Sequence, residues 1–101
     1  MNIRFRQYNF RIRYEDAQSF IFDIIRKKFM VLTPEEWVRQ HWIHYLIEDV
    51  KYPRSLIAVE KLVVVNKLSK RYDLVVYNRE GKPFLLIECK ASEVKKVSPL
   101  C

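Results

Sequence analysis

Arg71-Tyr72-Asp73-Leu74-Val75-Val76-Tyr77, followed by Phe84-Leu85-Leu86-Ile87-Glu88-Cys89-Lys90, is the stretch whose reading decides the fold. Both segments are short and largely apolar. Asn78-Arg79-Glu80-Gly81-Lys82-Pro83 between them has the composition of a hairpin loop. Asp73, Glu88 and Lys90 are the exceptions, because an isolated charge among apolar neighbours is costly to desolvate and Asp is depleted in strands. A loop of two residues (Glu80-Gly81) or four (Arg79 to Lys82) places Asp73 directly opposite Glu88, on one face of the hairpin. A three-residue loop turns Asp73 to the other face unless a bulge restores it. Lys90, two residues beyond Glu88, shares the face of Glu88.

Two opposed carboxylates repel unless a proton or a cation lies between them. Hard oxygen donors of this kind suit Mg2+ or Mn2+, and Lys90 stands where it can orient an attacking water and neutralise phosphoryl oxygens. The plainer alternative is an ion pair between Lys90 and one carboxylate at the solvated end of the sheet.

Working outward, Leu56–Val65 is a nearly continuous apolar run that reads as a buried strand. Before it, Thr33-Pro34-Glu35-Glu36 is a helix start, with Thr33 as N-cap, Pro34 at the first helical position and Glu36 at the capping-box position. The helix is expected to run to about Asp49, with Trp42, Ile43, Leu46 and Val50 as its apolar stripe, and Lys51-Tyr52-Pro53 ends it. Residues 1–32 read as an N-terminal β arm with strands at Arg4–Tyr14, Ser19–Phe22 and Ile25–Val31 and a turn at Glu15 to Gln18. The segment from Ala91 to Cys101 reads as a short polar tail. His41 and His44 read as partly exposed helix residues, and Trp37 and Trp42 as packing residues rather than base-stacking platforms.

Nineteen Lys and Arg against twelve Asp and Glu leave a formal net charge of +7, which favours a polyanion as partner, most simply nucleic acid. Arg4, Arg6, Arg11 and Arg13 alternate with Phe5, Tyr8, Phe10 and Tyr14. That interleaving suits a phosphate-tracking surface and an ordinary solvated strand equally. The single glycine, Gly81, argues against a glycine-rich phosphate cradle. Two cysteines make no disulfide framework, and Cys89 reads as a small core residue. No signal peptide and no membrane span is visible, so a cytoplasmic location without membrane association is expected. Residues 1–101 are expected to form one domain.

Asp73, a gap of fourteen residues, then Glu88-Cys89-Lys90 resembles the D-X(n)-E-X-K signature of the PD-(D/E)XK nucleases. The runs Ile21-Phe22-Asp23-Ile24-Ile25-Arg26-Lys27-Lys28 and Leu32-Thr33-Pro34-Glu35-Glu36-Trp37-Val38-Arg39-Gln40 are similar to one branch of that superfamily, the N-terminal nuclease domain of type I restriction enzyme R subunits. The resemblance implies an α+β fold with a restriction-endonuclease-like core of helix, three strands, helix and strand. It also implies hydrolysis of DNA phosphodiester bonds with Mg2+ or Mn2+. Asp73, Glu88 and Lys90 would be catalytic. The metal ligands would be Asp73, Glu88, the carbonyl of Cys89 and a glutamate of the first helix, for which Glu35 is chosen and Glu36 is the alternative. Arg39, Lys70 and Arg71 are the candidate DNA contacts. A duller role for Arg39 is an ion pair with Glu35 one helical turn away. The sequence ends eleven residues after Lys90, so the final helix and strand of the family core are expected to be missing. The uncovered sheet face is then expected to favour a homodimer or a motor or specificity subunit of a restriction-modification system. A non-catalytic DNA-binding or assembly module with a vestigial site is the competing reading.

Overall fold

A computed structural model describes residues 5–90 and 93–99, with side chains described as far as Cys89. Among the described residues, seven strands and one α-helix make a mixed α+β architecture: β1 Ile12–Glu15, β2 Gln18–Asp23, β3 Lys28–Val31, α1 Pro34–His44, β4 Ile57–Val65, β5 Leu68–Tyr77, β6 Pro83–Lys90 and β7 Glu93–Pro99. The first three form an antiparallel meander, and β4-β5-β6-β7 form a second antiparallel sheet in that order.

The N-terminal arm is shorter than its alternation suggests. Residues 5–11 are not strand, and β1 begins only at Ile12. Phe5 lies edge-on to Trp42 and Tyr45, and Phe10 packs against Trp37, His41 and His44. These aromatics cover α1, while Arg11 and Arg13 lie over the rings of Phe22 and Phe29 in the arm. Asp16 and Ala17, both at positive φ, make the tight turn between β1 and β2. Asp23 shortens the third strand. Its Oδ1 accepts from the backbone N–H of Ile25 at 2.7 Å and of Arg26 at 2.9 Å, which holds residues 24–27 in a turn.

Thr33 caps α1 as expected, its hydroxyl accepting from the Glu36 N–H at 3.0 Å. The helix ends at His44 and passes into a π-helical turn, Tyr45–Asp49, closed by the Val50 N–H on the Tyr45 carbonyl. That wider turn rotates Val50 off the apolar stripe, and it is exposed where burial was expected. Val38, Trp42, Ile43 and Leu46 remain inward and pack on Ile57, Leu74, Val76, Ile87 and Cys89 of the second sheet. His44 is buried rather than partly exposed, and Nδ1 pairs with Glu48 at 2.6 Å.

β4 is not the buried strand its composition suggests. Ile57 and Val63 are buried, but Leu62, Val64 and Val65 are exposed because this end of the hairpin projects past the helix-covered part of the sheet. The C-terminal segment corrects the expectation of a polar tail: Glu93–Pro99 pairs antiparallel with β6, which makes β6 a central strand. Cys101 lies outside the described residues. No helix among the described residues is long and apolar enough to cross a membrane.

Candidate functional site

The β5–β6 register has the parity required by the carboxylate argument, reached by an unexpected route. The loop spans five residues between the pair Tyr77↔Pro83, which is the wrong parity. A bulge between Val76 and Tyr77 then restores it, so that Val76 faces Leu85 and Leu74 faces Ile87. Asp73 and Glu88 are the next residues outward on these paired strands.

Their side chains nevertheless take separate partners. The ladder between β4 and β5 runs through Val59↔Leu74 and Lys61↔Tyr72, with Glu60 between them at a φ of 52°. Opposite this left-handed residue, Asp73 reaches towards α1. Its Oδ1 accepts from Arg39 Nη2 at 2.8 Å and its Oδ2 from the Cys89 N–H at 2.7 Å. Glu88 meets Lys70 Nζ at 2.7 Å, and Lys70 in turn lies over the ring of Tyr72, which packs with Val63, Val75 and Leu86. Leu74, Ile87 and Cys89 face the helix, whereas Val75 and Leu86 belong to a different cluster. By alternation, Glu88 belongs to the face away from the helix. Lys90 closes β6 opposite Glu93, and its side chain lies outside the described residues.

α1 contributes Glu36 rather than Glu35. Glu35 is exposed, whereas Glu36, Arg39 and Gln40 share the inward face at spacings of three and four. The Glu36 carboxylate does not close a capping box. Its Oε1 accepts from Arg39 at 2.7 Å, and its Oε2 accepts from Arg26 at 2.9 Å and from Gln40 at 2.9 Å. Asp23, fully buried, accepts from Arg26 Nε at 2.7 Å and from Gln40 Nε2 at 3.0 Å. Glu60 stands 3.4 Å from both Arg26 and Arg39. Asp23, Arg26, Glu36, Arg39, Gln40, Glu60 and Asp73 thus form one network joining arm, helix and sheet.

Burial works against the Arg39 cation, but the bond to Asp73 and the charges of Glu36, Asp73 and Glu60 outweigh it and raise its pKa. The bond to Glu88 raises that of Lys70. Burial, then the nearby Asp73 charge, pushes the Cys89 thiol up to about 12. Cys89 is therefore an inert buried thiol, and its backbone N–H serves to hold Asp73. Arg71 is exposed.

Asp23, Arg26, Gln40 and Glu60 are the members that sequence reasoning does not supply. The signal for Asp23 is present in the sequence: a carboxylate inside the apolar run Phe22-Asp23-Ile24-Ile25 raises the same question as Asp73. Gln40 could have been found four residues after Glu36, on the same helical face.

The donors match Mg2+ or Mn2+ in kind, being hard carboxylate oxygens. In arrangement they do not fit a divalent ion. Both Asp73 oxygens are engaged, Glu88 is held by Lys70, and among the described residues no three His, Cys, Asp or Glu side chains converge to hold a metal.

The family model described as type I restriction enzyme R protein N terminus matches residues 34–99, from the start of α1 to the end of β7. No curated protein and no solved structure matches the chain.

Proposed function

Since the chain belongs to the family of type I restriction enzyme R protein N termini, we propose that it is a DNA-directed nuclease domain of a restriction system. On this reading Asp73, Glu88 and Lys90 carry phosphodiester hydrolysis, and Mg2+ or Mn2+ is the cofactor. The observation that carries it is the register: Asp73 and Glu88 stand next to the paired Leu74 and Ile87 on neighbouring strands, and Lys90 follows in the E-X-K position. Arg39 and Lys70 hold the two carboxylates in the described arrangement, so a divalent ion has to displace them. Arg39, Lys70 and Arg71 are the basic groups at hand for the DNA backbone. Partner subunits for translocation or sequence choice, or a second copy of the chain, belong to the same proposal.

The test combines calorimetric titration of Mn2+ with cleavage of plasmid DNA. Wild type is expected to bind the ion and cut. Glu88→Gln is expected to lose the binding heat, and Lys90→Ala to keep it while losing cleavage. Flat titrations for wild type and variant alike, with no cleavage, would remove the nuclease reading.

The engagement of both Asp73 oxygens favours a second reading, a non-catalytic DNA-binding or assembly module with a vestigial site. It predicts salt-sensitive duplex binding without hydrolysis in either metal.

A further inference from the structure

The β4–β5 hairpin is longer than the sheet it joins. Its two strands pair from Ile57↔Val76 to Val65↔Leu68, whereas the β5–β6 pairing starts at Leu74↔Ile87. The segment from Lys61 to Tyr72 is therefore a two-stranded ribbon, turned at Asn66 and Lys67, both at positive φ. It contains Lys61, Lys67, Lys70 and Arg71 and no acidic residue. Lys70 pairs with Glu88, and Lys61, Lys67 and Arg71 are exposed.

The ribbon is also apolar where solvent reaches it. Leu62 is 53% exposed, Val64 65%, Val65 41% and Leu68 76%. Register puts Leu62 beside Arg71 and Val64 beside Ser69 on one face, with Val65 beside Leu68 on the other. Exposed apolar side chains on an unshielded ribbon favour association, and the exposed Lys61, Lys67 and Arg71, with no acidic residue in the ribbon, oppose pairing with an identical ribbon. A polyanion with apolar surface between its charges satisfies both features. Duplex DNA has them, with phosphates along each groove edge and base edges, including thymine methyls, on the floor. The size agrees: strands about 4.8 Å apart with side chains on both faces suit a major groove about 12 Å wide that admits a two-stranded ribbon. Five residues per strand reach on the order of 17 Å at about 3.3 Å each.

We propose that the Lys61–Tyr72 ribbon enters a groove of duplex DNA, with Leu62 and Val64 on one face against the groove floor and Lys61, Lys67 and Arg71 reaching the phosphates along its edges. This rests on the reading of the chain as DNA-directed and adds how the duplex is held: the ribbon leads along β5 straight to Asp73, so DNA seated on it lies beside the candidate site.

The test is anisotropy titration of a short labelled duplex with the full chain in EDTA, where hydrolysis cannot intervene. Lys61→Ala/Lys67→Ala is expected to bind about tenfold more weakly, with a salt slope shallower by about 2, one for each lysine–phosphate pair removed. Unchanged affinity and slope overturn the proposal. Leu62→Ser/Val64→Ser is expected to weaken binding while sedimentation stays that of wild type. If it dissociates a self-associated species and leaves DNA binding intact, the ribbon is an interface between copies and the proposal fails. Plasmid cleavage by the same proteins separates the two readings. Ribbon-dependent binding without any wild-type cleavage sinks the nuclease reading alone. Cleavage with ribbon-independent binding sinks the ribbon alone.

Discussion

Arg39 Nη2 donates to Asp73 Oδ1 at 2.8 Å, across a separation of 34 residues, and so ties the first turns of α1 to the strand that carries the candidate catalytic aspartate. Arg39 is also the shared partner of Glu36 and Glu60. Removing one member of a buried pair is more damaging than the pair is favourable, because the remaining charge keeps its desolvation cost. Arg39→Ala is expected to destabilise the fold by about 3 kcal/mol, measured by urea unfolding. A loss below about 1 kcal/mol would show that water replaces the guanidinium freely.

The same contact sets how a metal would act. If a divalent ion has to displace Arg39, wild type should gain little thermal stability from Mn2+. Arg39→Gln, which keeps a polar side chain but frees Asp73 of its counter-charge, should gain more, because ligand stabilisation follows affinity for the native state. Melting curves at matched ionic strength with Mn2+ and with Na+ make the comparison. Equal shifts for both proteins would show that Arg39 does not compete with the ion.

Asp23 is fully buried and accepts bonds from two backbone N–H groups, Arg26 and Gln40. Asp23→Ala leaves those donors unsatisfied and is expected to cost about 3–5 kcal/mol. Asp23→Asn retains the shape and part of the bonding and should lose less. Denaturant midpoints of the two variants would have to coincide to contradict this.

Tyr8 packs against α1 and donates to Asp49, which also pairs with Arg6. Burial first, then the bond to Asp49, pushes its phenol up to about 12, against about 10 for an unfolded tyrosine. A raised folded value favours the protonated form in the native state. Its stabilisation is therefore complete below about pH 10 and is lost as pH rises towards 12. Tyr8→Phe should flatten the fall in stability across that window, read as the difference between the two pH profiles. Parallel profiles would show that the phenol titrates alike in both states.

Cys89 is 2% exposed and its thiol is held up at about 12. In a Cys101→Ser background at pH 8, iodoacetamide should label the folded protein on the order of 100-fold more slowly than the urea-unfolded chain, since the thiolate is the reacting species. Comparable rates would place Cys89 at a solvent-open edge.

Much of the local structure was legible in advance. The Thr33 cap, the start of α1 and the strands on either side of Asn78 to Lys82 rest on interactions between residues a few positions apart, as do the capping bond and the hairpin periodicity. The parity of the β5–β6 register was anticipated too, with a bulge in place of a two- or four-residue loop, but the shared face for Asp73 and Glu88 was not borne out, since Asp73 turns to Arg39 and Glu88 to Lys70.

The amino-acid order alone thus determined the start of α1 and the strands around the Asn78 to Lys82 loop, which charged residues stand in apolar company, and the family to which residues 34–99 belong, but not β7 or the true start of β1. Only the three-dimensional packing decided that Glu36 rather than Glu35 turns inward, that Asp23, Arg26 and Gln40 join the network, that Arg39 and Lys70 divide the carboxylates between them, and that the apolar end of β4 projects into solvent. Helical and strand periods specify a face within one element. They carry no information on which distant element meets that face, and the partner of a buried charge is settled only when those faces come together.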